Sequence, residues 1–271
     1  MGIGLEIPVF GATAALKAVQ LGASRIELNA KGSYSDGGLT PSLEDLQRVA
    51  QLPVPVRVMI RPRGPLSDKE IRDFVYSDEE FEQMEADIRK FKETGLLNEA
   101  RGDGFVFGIL KEDSRRGDNC WVDEDRCWID KDRCARLIEA ARPFKVVFHR
   151  AFDEIVSCDD EEADIDARYA WETGLHHLAD CGFDAILTSG GIGHAANNIA
   201  MLKKIITKAG TLGIEIIVGG GVRRHNVGDL SQRLKLNERG KSTFVHSACL
   251  SNTESEDVDA EEVTNILSQL Q

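Results

Sequence analysis

Short apolar stretches rich in β-branched residues alternate along the chain with longer amphipathic stretches. This alternation predicts parallel strands that are joined by helical crossovers. Eight strands are predicted, at Leu5–Phe10, Arg25–Asn29, Val56–Pro62, Gly104–Leu110, Lys145–Phe152, Ala185–Ser189, Glu215–Gly219 and Ser242–Ser247. Eight strand–helix units in 271 residues fit one closed (β/α)8 barrel of the TIM type. We therefore expect a single domain over residues 1–271, with an acidic C-terminal segment at 251–271.

A doubly wound open sheet is the main alternative to a barrel. Such sheets usually have fewer strands, and the turn after their first strand carries a GxGxxG motif. In this chain the turn reads Phe10-Gly11-Ala12-Thr13. The pattern therefore favours the barrel.

Apolar residues spaced three and four apart predict the helices that cover the barrel. Helices are expected at Ser77–Thr94, Asn198–Leu212 and Ala260–Leu270. The first has a stripe of Phe81, Met84, Ile88 and Phe91. Ser77 and Glu80 form a capping-box pattern at its start, so this helix should begin there.

Three connections are longer than a barrel needs, and they follow predicted strands three, four and five. They are Arg63–Tyr76, Lys111–Ile129 and Asp153–Asp164. All three would lie at the carboxyl end of the barrel, where such proteins place their ligand contacts. We expect any binding site at that end.

The chain is acidic, with a net charge of -13 that comes from 46 acidic and 33 basic residues. Two segments, Glu154–Asp166 and Glu254–Glu262, hold the whole excess of acids. The rest of the chain is balanced in charge, which argues against non-specific binding to nucleic acid or to an anionic membrane. No apolar run reaches the roughly 18 residues of a membrane span, and Met1–Glu6 lacks a secretion or myristoylation pattern. We expect a cytoplasmic protein.

The six cysteines include no CxxC pair, and reduced thiols are expected in a protein of this kind. Cys120, Cys127 and Cys134 recur every seven residues, a spacing that would place neighbours on one helix face. However, Gly117–Asn119 favours a loop beside the first of them. A metal or disulfide role for this series is therefore left open.

Several charged side chains interrupt strands that a barrel would bury on both sides. They are Glu6, Glu27, Arg61, Arg63, His149, Arg150 and His246, most of them near a strand's carboxyl end. Alternate residues of a strand face one side. If that side is the barrel axis, Glu6, Glu27, Arg61, His149 and His246 should meet at one mouth.

Two interpretations of this polar mouth are compatible with each other. In the first, Arg61 and Arg63 neutralise Glu6 and Glu27, so that no charge is buried alone. In the second, the two guanidiniums hold an anion and His149 transfers protons, since its ordinary pKa of about 6.5 lies near working pH. Asp153 or Glu27 would then orient His149.

Glycine-rich turns follow predicted strands six and seven. Thr188-Ser189-Gly190-Gly191 and Gly219-Gly220-Gly221 would lie at the same end as the arginines. Glycines can simply make tight turns, but barrels also bind phosphate with backbone N–H groups at this end. Together with the arginines, they favour an anion site that includes Ser189, Gly190, Gly220 and Gly221.

The chain strongly resembles the CutC copper-homeostasis family. The resemblance rests on several segments that occur in order from Leu5 to Ser247: Leu5-Glu6-Ile7, Gly22–Leu28, Gly37–Ser42, Ile60–Gly64, Tyr76–Asp78, Phe148–Asp153, Leu187–Gly190 and Val245–Ser247. It implies a TIM-like barrel, a protein of the cytosol or the nucleus, a homo-oligomer and a link to copper handling. The connections Arg63–Tyr76 and Lys111–Ile129 exceed the family's usual length.

The resemblance also implies where copper ligands would be sought. In animal members the proposed Cu(I) ligands are cysteines at the ends of the first and second strands, and Pro8 and Asn29 occupy those positions here. Cu(I) prefers sulfur, whereas carboxylates and imidazoles suit Zn, Mn or Mg better. Cys120 and Cys127 could supply a substitute copper site in their loop. The residues themselves assign no metal, and copper is implied by the resemblance alone.

Two functions are therefore expected from the sequence. The first is a CutC-family copper homeostasis protein that binds or handles copper inside the cell. The second is a TIM-barrel enzyme of unassigned reaction on a small anionic substrate that bears phosphate or carboxylate. Its acid/base group would be His149.

Overall fold

A computed structural model describes residues 3–67, 72–112, 127–158, 169–238, 243–250 and 255–271. Eight parallel strands close a barrel in the order β1-β10-β9-β8-β7-β4-β3-β2, as the sequence predicted. The barrel strands are β1 (Gly4–Phe10), β2 (Arg25–Asn29), β3 (Val56–Met59), β4 (Gly104–Phe107), β7 (Lys145–Phe148), β8 (Ala185–Thr188), β9 (Glu215–Val218) and β10 (Thr243–His246). Strands β5 (Leu110–Glu112) and β6 (Cys127–Ile129) form a separate antiparallel pair.

Helices connect the strands and cover the outside of the barrel. They are α1 (Ala12–Gln20), α2 (Leu43–Val49), α3 (Asp78–Glu93), α4 (Lys131–Ala141), α5 (Ala151–Val156), α6 (Ala170–Cys181), α7 (Ile199–Leu212), α8 (Val227–Leu234) and α9 (Ala260–Gln269). Short 3-10 turns occur at Ala195–Asn197 and Leu236–Glu238. Among the described residues, no helix is both long enough and apolar enough to span a membrane.

The capping box that the sequence predicted before α3 is confirmed. Ser77 Oγ accepts the Glu80 N–H at 3.2 Å, and Glu80 Oε2 accepts the Ser77 N–H at 2.8 Å. The predicted stripe of four apolar residues on this helix is buried. Local sequence therefore fixed both the start of α3 and the face that packs on the barrel.

Two apolar clusters alternate along the strands. The larger cluster lies between the strands and the helices, whereas the smaller one consists of Met59, Val106, Val147, Ala185, Leu187 and Ile217. Its members alternate with those of the larger cluster, so they point into the barrel. The inner face is therefore apolar at this level of β3, β4, β7, β8 and β9, whereas Arg57, Lys145 and Glu215 have the same parity at the amino ends of β3, β7 and β9. The charged residues predicted for the barrel axis come mostly from β1, β2 and β10.

The structure shortens three of the predicted strands by three or four residues at their carboxyl ends, and the other described strand ends differ by at most one residue. The fifth predicted strand ends at Phe148 instead of Phe152, because helix α5 already begins at Ala151. The third ends at Met59, before Pro62, a residue without a backbone N–H. The fourth ends at Phe107, and the Leu110 N–H donates to the Phe74 carbonyl at 2.9 Å instead of continuing the barrel ladder.

The long connections and the cysteine series can now be placed. The connection Lys111–Ile129 includes parts of the β5–β6 hairpin, and Asp153–Val156 belongs to α5. Cys127 lies in a strand and Cys134 in α4, so the seven-residue repeat does not follow one helix face. Cys134 is buried, and this burial raises the pKa of its thiol. Cys120 and most of the acidic segment after Glu154 lie outside the described residues.

Candidate functional site

A cavity of about 410 Å³ opens at the carboxyl end of the barrel. Seven residues that the sequence singled out for this end line it: Glu27, Arg61, His149, Arg150, Gly220, Gly221 and His246. Pro8 and Asn29 line it as well. The alternation of facing residues along the strands therefore brings side chains from distant parts of the chain to one place.

Glu6 lies beside this cavity and contacts two charged neighbours. Its Oε1 is 2.8 Å from His246 Nδ1, and its Oε2 accepts a short hydrogen bond from Arg25 Nε. Burial disfavours the charged carboxylate, but the Arg25 charge and the His246 hydrogen bond outweigh it and lower the pKa of Glu6 to about 2. Burial lowers the pKa of His246, and the contacts with Glu6 and Glu27 more than reverse this, so that it is raised.

Glu27 is buried, and one of its two carboxylate oxygens lacks a hydrogen-bond donor among the described residues. Asn29 Nδ2 donates to Glu27 Oε1 at 3.3 Å, while Glu27 Oε2 has no hydrogen-bond partner among the described residues. Burial raises the pKa of Glu27. The side chain of Asn29 is in turn held close to Gly38, where a Cβ atom would come within 2.2 Å of Asn29 Oδ1.

His149 is a neutral hydrogen-bond donor at the cavity. Its Nδ1 accepts the Ala151 N–H at 3.2 Å, so the proton of the neutral ring lies on Nε2. Burial and the nearby Arg61 lower the pKa of His149 to about 3. The ring is 4.8 Å from that of Phe74, and its Nε2 is buried without a partner among the described residues. It can therefore offer an N–H to a bound molecule.

Asp153 hydrogen-bonds to the turn after β8 and not, among the described residues, to His149 as the sequence predicted. Its carboxylate accepts hydrogen bonds from Thr188 Oγ1 at 2.5 Å, from the Ser189 N–H at 3.0 Å and from Arg150 Nε at 2.8 Å. The Gly190 N–H donates to Thr188 Oγ1 at 2.9 Å. These bonds fix the shape of the turn that contains Ser189 and Gly190, two of the residues proposed for anion binding. Neither they nor Asp153 are among the residues that line the cavity.

The arginines have other partners than the sequence suggested. Arg61 is 4% exposed, and its Nη2 lies 2.9 Å from Asp73 Oδ2. Arg63 is not among the residues that line the cavity. Its guanidinium is paired with Glu80, with 2.6 Å between Arg63 Nε and Glu80 Oε1. The expected neutralisation of Glu6 by these arginines is therefore wrong: the partner of Glu6 is Arg25. The pairing was missed because it depends on the register of β1 and β2, in which Glu6 stands opposite Arg25.

Arg223 is a cavity residue that sequence reasoning missed. It follows the glycine turn after β9, and its Nη1 donates to the Val222 carbonyl at 2.9 Å and to Ser247 Oγ at 3.4 Å. No ion pair of Arg223 occurs among the described residues. A Cβ atom at Gly221 (φ +70°) would meet His194 Nδ1 at 2.2 Å, so this turn requires glycine. An arginine just after a glycine turn was the signal that could have found it.

A closed parallel barrel with a polar cavity at its carboxyl end defines the class of the TIM-barrel proteins. Within this class, the model of the CutC family matches residues 3–245. The chain therefore belongs to the CutC family, as its sequence motifs indicated.

Similar proteins occur in animals and bacteria. A human protein named copper homeostasis protein cutC homolog is 38% identical over 227 residues, which cover 83% of this chain and 68% of the human one. A family protein CutC from Salmonella schwarzengrund is 36% identical over 82% of this chain and 73% of its own. The crystal structure of CutC from Streptococcus agalactiae superposes with a TM-score of 0.66 at 28% identity, covering 91% of this chain and 98% of that one.

Other barrels share the architecture alone. A phosphoribosylanthranilate isomerase from Thermotoga maritima superposes with a TM-score of 0.54 at 12% identity, over 99% of this chain and 98% of that one. An identity this low shows the common fold and carries nothing about the chemistry.

Proposed function

We propose that this chain serves copper homeostasis inside the cell. The observation that carries the proposal is its similarity to the human protein, whose name states that role, at 38% identity over 83% of this chain. Residence in the cytoplasm, with the nucleus as the alternative compartment, and assembly into a homo-oligomer belong to the same proposal. No role in nucleic-acid or membrane binding is proposed, because most of the chain is balanced in charge.

The test is a deletion of the gene in a cell that makes this protein. Total cell copper and growth are measured across a series of copper concentrations, before and after the wild-type gene is restored. We expect the deletion to change copper content or copper tolerance and the restored gene to correct it. Unchanged copper content and growth would remove the proposal.

The donor atoms at the cavity do not fit a Cu(I) ion. Cu(I) prefers thiolate and thioether sulfur, and Met59 is the one sulfur-bearing residue among those that line the cavity. Pro8 and Asn29, which stand where the family resemblance implies cysteine ligands, offer no sulfur. Cys134 and Cys249 are buried elsewhere, and burial raises the pKa of Cys249 to about 12.

We propose, as a second function, that the cavity takes a small anionic molecule on which the protein acts as an enzyme. Arg223 is the specific observation that favours this. Arg223 lines the cavity, its guanidinium forms no ion pair among the described residues, and it follows the seventh barrel strand, where such barrels bind phosphate. Gly220, Gly221 and Ser247 line the cavity next to it. In this arrangement His149, which is neutral at working pH, donates a hydrogen bond from its Nε2–H to the bound molecule and does not transfer a proton.

Neighbouring arginines provide a matched test of this site. Arg223 lines the cavity, whereas the guanidinium of Arg224 pairs on the surface with Glu261 and Glu262. We expect inorganic phosphate, or a phosphate-bearing metabolite from a small panel, to raise the unfolding temperature of the wild type and of Arg224→Ala, and to lose this effect on Arg223→Ala. Equal stabilisation of both variants would contradict the site.

A further inference from the structure

Three side chains with metal-binding atoms meet at the inner end of the cavity, where β1, β2 and β10 adjoin. Glu6, Glu27 and His246 each offer one oxygen or nitrogen atom, and these atoms all lie within 4.8 Å of one another. We propose that this cluster, called the Glu–His cluster below, binds one divalent transition-metal cation. The proposal goes beyond the copper role and does not depend on it.

Glu27 provides the observation that separates an ion site from a simple salt-bridge network. The residue is 4% exposed, and its Oε2 accepts no hydrogen bond within the described part of the chain. A buried carboxylate oxygen without a donor is costly, because water no longer solvates it. A cation between Glu27, Glu6 and His246 would satisfy this oxygen.

Glu6 is held in the orientation that a metal ligand needs. Arg25 Nε bonds Glu6 Oε2, which leaves Glu6 Oε1 facing His246 Nδ1 at 2.8 Å. Metal-ligating carboxylates are commonly fixed in this way by an outer hydrogen-bond donor. The positive charge of Arg25 does not rule out a second cation nearby, because Arg25 Nη1 is also paired with Glu215 Oε1 at 2.8 Å.

The donor set and the spacing indicate the kind of ion. Two carboxylates and one imidazole suit Mn²⁺ or Zn²⁺ and lack the sulfur that Cu(I) prefers. Ligand atoms about 2.1 Å from such an ion are at most about 4.2 Å apart. Since the atoms of the cluster already lie within 4.8 Å, small side-chain rotations would bring them into range.

The position of the Glu–His cluster also bears on the cavity above it. Glu27 and His246 both line the cavity, so a cation that they bind would border the space in which an anionic molecule is proposed to sit. Three protein ligands leave further coordination positions for water or for that molecule, as in catalytic metal sites. The site would thus join a cation and an anion pocket in one mouth.

The proposal is tested with Mn²⁺, because this ion binds thiols weakly and so avoids the cysteines. Protein treated with chelator and then dialysed is titrated with MnCl2, and free Mn²⁺ is followed by electron paramagnetic resonance. The variants are Glu27→Gln, which keeps the shape of the side chain, and His246→Gln. The control is His225→Gln, which removes an exposed imidazole away from the cavity. Circular dichroism and unfolding temperature establish that each variant is folded.

We expect the wild type and His225→Gln to take up one equivalent of Mn²⁺, and Glu27→Gln and His246→Gln to bind it at least tenfold more weakly. Zn²⁺ should displace the bound Mn²⁺. No saturable uptake by the wild type would overturn the proposal, as would uptake that both cluster variants retain in full.

A measurement on the wild type keeps the test decisive if a cluster variant does not fold. Substoichiometric Mn²⁺ should broaden the ring C–H resonances of His246 in the proton NMR spectrum before those of His225. Broadening that begins at His225 would place the ion on the surface and overturn the proposal. Cellular copper content plays no part in either readout, so the failure of the ion site and the failure of the copper role are distinguishable.

Discussion

Acidification should destabilise this protein through His149, and the size of the effect follows from its burial. An unfolded histidine takes up a proton near pH 6.5, whereas the folded ring has its pKa lowered to about 3. Below pH 6.5 the unfolded state therefore binds a proton that the folded state does not, and stability falls as pH falls. Between pH 7 and pH 5.5 the loss amounts to about 1.3 kcal/mol. Any folded pKa below about 4.5 gives nearly the same figure.

The perturbation that isolates this effect is His149→Asn. Asparagine does not titrate, and its Oδ1 can accept the Ala151 N–H as His149 Nδ1 does. The variant loses ring packing against Phe74 at every pH, so its overall stability falls, but its loss between pH 7 and pH 5.5 should be smaller than that of the wild type by about 1.3 kcal/mol. The other titrating groups are present in both proteins and cancel in this comparison.

The assay is urea unfolding followed by tryptophan fluorescence at pH 7, 6.5, 6 and 5.5, with linear extrapolation to water. His225→Asn serves as the control, because the ring of His225 is exposed and its removal should leave the pH dependence of the wild type intact. If wild type and His149→Asn lose the same free energy over this range, the ring takes up a proton in the folded state. The assignment of His149 as a neutral donor at the cavity would then be wrong.

Three further predictions concern stability measured by urea unfolding. Arg25→Met should lower the free energy of unfolding by about 3–5 kcal/mol, because it leaves the buried Glu6 without its cationic partner. Arg224→Met, which removes an exposed pair, should lower it by at most about 1 kcal/mol. Similar losses in the two variants would contradict the buried pairing. Gly38→Ala, whose Cβ would meet Asn29 Oδ1 at 2.2 Å, should lose clearly more than Gly32→Ala, which has a like φ and open space; equal losses would refute the close approach. Ser77→Ala should cost about 1 kcal/mol through the lost cap of α3, and an unchanged midpoint would contradict that contribution.

The barrel was predictable because its signals are local. Each strand is a short β-branched run, and the period of two along a strand tells which side chains share its inner face. This was enough to bring Glu27, Arg61, His149 and His246 to one end of the barrel. The start of α3 was predictable for a similar reason, since a capping box lies within four residues.

The partners of the charged groups were not predictable in the same way. Which side chain contacts Glu6 depends on the register between strands. Arg25 stands at the start of its strand, whereas the prediction considered only charged residues near the carboxyl ends. Asp153 was assigned to His149 because the two share the parity of the predicted fifth strand, yet that strand ends at Phe148 and the hydrogen bonds of Asp153 run to residues of the turn after β8. Register and long-range hydrogen bonds have no local signal, so only the folded structure reveals them.

The contact between Glu6 and His246 joins residues 240 positions apart, across the seam where the first barrel strand pairs with the last. On the ribosome, this half of the mouth cannot assemble until the final strand has emerged and docked. A chain that ends before His246 would present the carboxylates of Glu6 and Glu27 without the imidazole. A ligand that needs both Glu6 and His246 would consequently bind only to a chain whose last barrel strand has been synthesised and has paired with the first.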